Sequence, residues 1–151
     1  MNIDLVVRIG ALHSEKLVAA LGPGWYADAQ QIRQAIQAGR AFVIHIPTGW
    51  KIDLFPAQSD FHECEMQRAT LEPVTIDGEV VVCPVSTPED DLLAKLRWYK
   101  DGGQVSDRQW GDIMGIVATN PDLDLEYTRL WAGRLQVTGL LDRALSERAA
   151  E

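Results

Sequence analysis

Cysteine is almost missing from this sequence: Cys64 and Cys83 are the only two. Two cysteines make neither a disulfide framework nor a zinc site. The chain therefore reads as carrying reduced, partly buried thiols, as a cytoplasmic protein would. No basic segment leading into an apolar run is visible, so no secretory signal is expected. No apolar stretch is long enough to span a bilayer, so no membrane partner is expected. Histidine is scarce as well. His13, His45 and His62 stand at spacings that suggest no metal site, and no serine or cysteine nucleophile motif accompanies them. His45 lies in an apolar stretch and reads as a partly buried core residue. Basic residues are the minority, 14 against 22 acidic ones, for a net charge of -8. A field of that sign repels phosphate backbones and argues against a broad nucleic-acid-binding surface. It is compatible with a site that recruits divalent cations ahead of an anionic substrate.

What is present is an ordinary globular composition. The chain has 151 residues, 46% apolar and 24% charged, enough for one domain with a real core. The first half alternates strands and helices. Ile3 to Val7 reads as a strand, with Ile3, Leu5 and Val7 on one side and Asn2, Asp4 and Val6 on the other. Ser14 is placed to cap a helix through Leu21, which Gly22-Pro23-Gly24 ends. Asp28 to Ala38 predicts a second helix with Ile32, Ala35 and Ile36 on one face and Gly39 as its stop. Ala41 to Ile46 and Trp50 to Phe55 predict an antiparallel hairpin around Pro47-Thr48-Gly49. A short helix is placed around Phe61 to Arg68. Val74 to Ile76 and Glu79 to Cys83 flank Asp77-Gly78, a favoured hairpin turn.

The second half predicts helices with clear punctuation. Thr87-Pro88 opens one that runs to about Lys100, where Asp101-Gly102-Gly103 stops it. Ser106-Asp107-Arg108-Gln109 is a capping-box pattern. Asp124 and Thr138 open two more. The expected fold is α/β or α+β, with helices on one side of a small mixed sheet. Residues 1–85 form the sheet-containing core and residues 86–151 a helical subdomain of the same domain.

Two features carry chemistry. If the strand at 3–7 pairs beside the one at 50–55, Asp4 and Asp53 face the same side, with Lys51 two residues from Asp53. Two adjacent carboxylates repel unless something neutralises them. Mg2+ does so well, because it takes one or two carboxylates plus substrate phosphates. The plain alternative is two solvated aspartates on short strands. The second feature is Lys95, which sits within a stripe of Leu92, Leu96 and Tyr99. A lysine there either snorkels to solvent or finds an anion. Asp112 on the next helix is the natural partner, and a simple interhelical salt bridge is the better reading from spacing alone.

The strings N-I-D-L-V-V, K-I-D-L-F, T-P-E-D-D-L-L-A-K-L-R-W-Y and S-D-R-Q-W-G-D-I-M-G-I resemble the nucleotidyltransferase superfamily, which has a DNA polymerase beta-like fold. The chain is similar in particular to stand-alone bacterial members related to abortive-infection toxins. The resemblance implies Mg2+-dependent transfer of a nucleoside monophosphate from a nucleoside triphosphate to a hydroxyl. It implies that Asp4 and Asp53 hold the metal, that Lys51 and Lys95 contact phosphate, and that Lys95 and Asp112 belong to the functional set. A partner protein of the antitoxin kind comes with the same resemblance.

The departures are specific. Asn2 stands where the first metal-binding acid belongs, offering a neutral oxygen. The Gly-Ser phosphate loop that precedes that strand is not in the sequence. Either Met1 is an internal position of a longer protein, or this is a shortened relative. The alternative function is therefore an inactive member that acts as a nucleotide-binding or protein-interaction module. An uncovered sheet edge would then favour homo-oligomers.

Overall fold

The computed structural model describes residues 2–45, 49, 51–76 and 78–149. Among them it is a mixed α+β structure with seven α-helices, a three-stranded sheet and a two-stranded sheet. The chain divides into two compact units, Met1–Cys64 and Glu65–Glu151.

The first unit contains β1 (Asn2–Val7), α1 (Ser14–Leu21), α2 (Ala29–Gln37), β2 (Phe42–His45) and β3 (Lys51–Pro56), and ends within α3 (Asp60–Arg68). The sheet order is β1-β3-β2. β3 is central, parallel to β1 and antiparallel to β2. Strand alternation sorts the residues. Phe42, Ile44 and Leu54 share one face and are buried with Ile32 and Ile36 of α2, while Leu17, Val18 and Leu21 of α1 pack against them. Both helices thus cover one side of the sheet, as the composition of the strands leads one to expect.

Local chemistry sets the helix ends. Asp28 accepts a hydrogen bond from the Gln31 backbone N–H at 2.7 Å and caps α2, and Gly39 past its end takes a φ of 63°. Ser14 is not a cap. It is the first residue of α1, buried, and its hydroxyl donates to the Ala11 carbonyl at 3.0 Å. The preceding 3-10 turn, Ala11–His13, had no apolar periodicity to announce it, which is why the serine read as the helix start.

The second unit holds the end of α3, then β4 (Thr70–Ile76), β5 (Glu79–Val85), α4 (Pro88–Asp101), α5 (Asp107–Thr119), α6 (Leu125–Arg134) and α7 (Thr138–Arg148). The β4–β5 hairpin, grouped with the sheet in the sequence reading, falls here. Asp77 lies outside the described residues. Ile76 pairs with Glu79, however, so the connection is two residues long, and Gly78 has a φ of 85°. The strands run further than their apolar cores, through Pro73 and Pro84. Thr87, Ser106 and Asp124 each cap the following helix by accepting from the backbone N–H three residues on. Leu92, Leu93 and Leu96 of α4, Ile113 and Val117 of α5, Trp131 and Ala132 of α6, and Leu141 and Ala144 of α7 supply the buried side chains. No helix among the described residues is long and apolar enough to cross a membrane.

Candidate functional site

The sheet of the first unit has one covered face and one open face, and the charged residues of β1 and β3 lie on the open one. Asp4 is the register partner of Asp53 across the parallel β1–β3 pair. Parallel neighbours of this kind stand about 4.8 Å apart on the same side of the sheet. The strand pairing on which the two-carboxylate reading depends is therefore present. Asp4 is exposed and Asp53 half-buried. The Lys51 ammonium donates to Asp53 Oδ2 at 2.8 Å, two residues along the same strand. This contact neutralises part of the negative charge that the two aspartates bring together.

The row at Lys51 extends across the whole sheet. Asn2 pairs with Lys51 on one side, and its side chain is outside the described set. His45 pairs with Lys51 on the other. Tyr26 continues the row through an isolated bridge, exchanging backbone hydrogen bonds of 3.0 and 3.3 Å with His45. His45 is exposed, which corrects its reading as a core residue. Its neighbours Ile44 and Phe42 take the buried positions, and strand alternation turns His45 the other way. Tyr26, 81% exposed, had no signal in the sequence, because a single bridging residue carries no periodicity. The open face thus assembles two carboxylates, an ammonium, an imidazole and a phenol ring.

Lys95 and Asp112 belong to the second unit. Lys95 Nζ lies 4.0 Å from Asp112 Oδ2, at the outer limit of an ion pair, and 6.0 Å from the centre of the Trp98 ring. The pair links α4 to α5, as the spacing suggested. The Lys95 side chain is 24% exposed and that of Asp112 52%.

A larger polar cluster in the second unit was not anticipated. Asp90 is fully buried and Glu65 and Glu89 are nearly so. The Arg68 guanidinium donates to Asp90 at 3.2 Å and to Glu89 at 3.4 Å, and stacks 3.8 Å over the Tyr127 ring. The hydroxyls of Thr87 and Tyr127 both donate to Asp90. The Asp124 N–H donates to Glu89 at 3.0 Å. Burial works against the charge of Arg68, but Asp90, then Tyr127 and Glu89, outweigh it and hold its pKa above the usual value. For Glu89, burial is outweighed by the Asp124 N–H and other donors, so its pKa falls. Glu65 is different. Burial pushes its carboxyl up to about 7, against the Ser86 hydroxyl that donates to it at 2.9 Å; the nearby Asp90 and Asp91 add to the rise. The only trace of this cluster in the sequence is Thr87-Pro88-Glu89-Asp90, which reads as a helix cap and nothing more.

Among the described residues, no three or more His, Cys, Asp or Glu side chains are grouped as a metal site. Asp4 and Asp53 fit the carboxylate share of a Mg2+ site whose remaining ligands are substrate phosphates and water. No protein-family model matches this chain, and no curated protein matches it.

Proposed function

We propose that this protein is a nucleotidyltransferase-like protein that binds a Mg2+–nucleoside triphosphate on the open face of its three-stranded sheet. The observation that carries the reading is the register pairing of Asp4 with Asp53 beside Lys51. The pairing supports the superfamily resemblance because it brings together two carboxylates that lie far apart in the chain.

In this reading Asp4 and Asp53 hold the metal, and Asn2 enters through the resemblance alone. The metal would supply charge stabilisation to the phosphates and lower the pKa of the acceptor hydroxyl. Lys51, whose ammonium lies 2.8 Å from Asp53 Oδ2, would contact the phosphates. His45 and Tyr26, in the same row, are placed to contact the rest of the nucleotide. The acceptor oxygen attacks the α-phosphorus, the bond to pyrophosphate breaks, and the hydroxyl proton leaves to solvent. The acceptor class is RNA, protein or a small molecule. Lys95 and Asp112 enter this reading through the resemblance alone, as does an antitoxin-like partner.

A second reading keeps the binding and drops the turnover. It is favoured by Asn2 at the first-acid position, because a neutral amide binds a divalent ion less well than a carboxylate.

The test is thermal melting with each of the four nucleoside triphosphates, with and without Mg2+, beside Asp53→Asn. A ligand that binds only the folded state raises the melting temperature by mass action. A Mg2+-dependent rise that Asp53→Asn abolishes supports the site. No rise with any nucleotide overturns both readings. Radiolabelled nucleotide then separates them, since pyrophosphate release accompanies transfer and not mere binding.

A further inference from the structure

The open face of the three-stranded sheet changes its chemistry across its width. The β1 and β3 side carries Asp4, Asp53 and Lys51. On β2, strand alternation leaves Val43 and His45 on the open face, opposite Asp53 and Lys51. Tyr26 lies beyond them, opposite His45. The carboxylates and the ammonium therefore gather on one side. Across the sheet they give way to an alkyl group, an imidazole and a phenol ring.

Tyr26 is held in place by its backbone. Its N–H donates to the His45 carbonyl at 3.0 Å, and its carbonyl accepts from the His45 N–H at 3.3 Å. Residues that exchange both bonds stand directly opposite, with side chains on the same side of the sheet. The flanking residues agree: Trp25 and Ala27 pack against the buried core, and Tyr26 turns away from it. Its side chain is 81% exposed. An exposed tyrosine by itself means little. This one shares a row with Lys51, two pairings away, about 10 Å across the sheet. A phosphate held at Lys51 has an aromatic ring at the far end of the row, with His45 between.

Given a Mg2+–triphosphate at Asp4 and Asp53, the reading on which this inference rests, we propose that Tyr26 is the nucleobase platform of the site and that it accepts all four bases. The sheet order sets the direction. β1 is an edge strand, so a nucleoside pointing past it leaves this sheet, whereas one pointing the other way lies over His45 and Tyr26. His45, at the level of the sugar, offers a ring nitrogen to a ribose hydroxyl. The base stacks on the Tyr26 ring through its face, and every base has such a face. A ring beneath the base senses stacking area and not the pattern of donors and acceptors along its edge. The substrate class is therefore nucleoside triphosphates in general, and not one base.

Calorimetric titration of the wild type, Tyr26→Phe and Tyr26→Ala tests this, with each of the four Mg2+–nucleoside triphosphates and with Mg2+–tripolyphosphate. Tyr26→Ala is expected to weaken all four nucleotides by about tenfold or more. Tyr26→Phe keeps the ring and is expected to bind them as the wild type does. Tripolyphosphate has no base, so all three proteins are expected to bind it alike. Because the side chain is exposed, neither variant should lower the melting temperature appreciably. Unchanged nucleotide affinity in Tyr26→Ala overturns the platform and leaves the metal–triphosphate reading standing. A loss in Tyr26→Ala that extends equally to tripolyphosphate also overturns it, since the effect is then not on the base. A wild type that favours one base by more than about tenfold overturns its breadth. A wild type that binds neither nucleotide nor tripolyphosphate removes the metal–triphosphate reading itself, and this inference with it.

Discussion

Lys51 and Asp53 stand two residues apart on one strand and are joined by a 2.8 Å hydrogen bond between ammonium and carboxylate. The pair is placed where a metal ion would compete with the lysine for the same oxygen. In the proposed site Lys51→Met removes that competitor and also the proposed phosphate contact, so two ligands would report in opposite directions. Mg2+ alone is expected to bind more tightly to Lys51→Met than to the wild type, and Mg2+–nucleotide more weakly. Calorimetric titration of both ligands checks this. Parallel changes of the same sign would show that Lys51 does not exchange between carboxylate and phosphate.

Lys95 separates the role that the resemblance implies from a structural one. Its ion pair with Asp112 is at 4.0 Å with a half-exposed partner, so Lys95→Met is expected to cost less than about 1 kcal/mol of stability. The melting temperature should barely move. A fall in nucleotide affinity at unchanged melting temperature would assign Lys95 to the binding of phosphate. Intact affinity would leave it as a helix-to-helix contact.

Glu65 makes stability depend on pH in a definite sense. In the folded chain its carboxyl holds its proton up to about 7, against an ordinary value of 4.5. Below the ordinary value the group is neutral in both states and costs nothing. As pH rises, the unfolded chain releases the proton first, so the native state loses stability until pH passes the folded value. The full loss is on the order of 3 kcal/mol. Glu65→Gln is expected to abolish this dependence, raising the melting temperature at pH 8 and changing it little at pH 4. Denaturant titrations at the two pH values measure it. Equal effects at both would show that packing, not protonation, governs the site.

Asp90 anchors the buried cluster. It accepts from the Arg68 guanidinium and from the hydroxyls of Thr87 and Tyr127. Asp90→Ala leaves the Arg68 guanidinium without its main counter-charge and is expected to cost about 3–5 kcal/mol. Asp112→Ala, on an exposed site, is expected to cost less than about 1 kcal/mol. Chemical denaturation of the two variants side by side tests the contrast.

The sequence by itself determined the order of the strands and α-helices and four of the helix starts. Asp28, Thr87, Ser106 and Asp124 cap as their residue types require, because a cap is a bond between a side chain and a backbone N–H three residues away. It also determined the faces of β1 and β3, since alternation is a local property of an extended chain. Only the tertiary structure decided that β1 lies parallel to β3 in the register that sets Asp4 beside Asp53, because strand pairing joins residues that nothing local connects. For the same reason Tyr26 and His45 joined the open face unannounced, and Glu65 and Arg68 met Glu89 and Asp90 inside the second unit. Strand pairing alone makes Pro73 and Pro84 two positions on one exposed side of the hairpin.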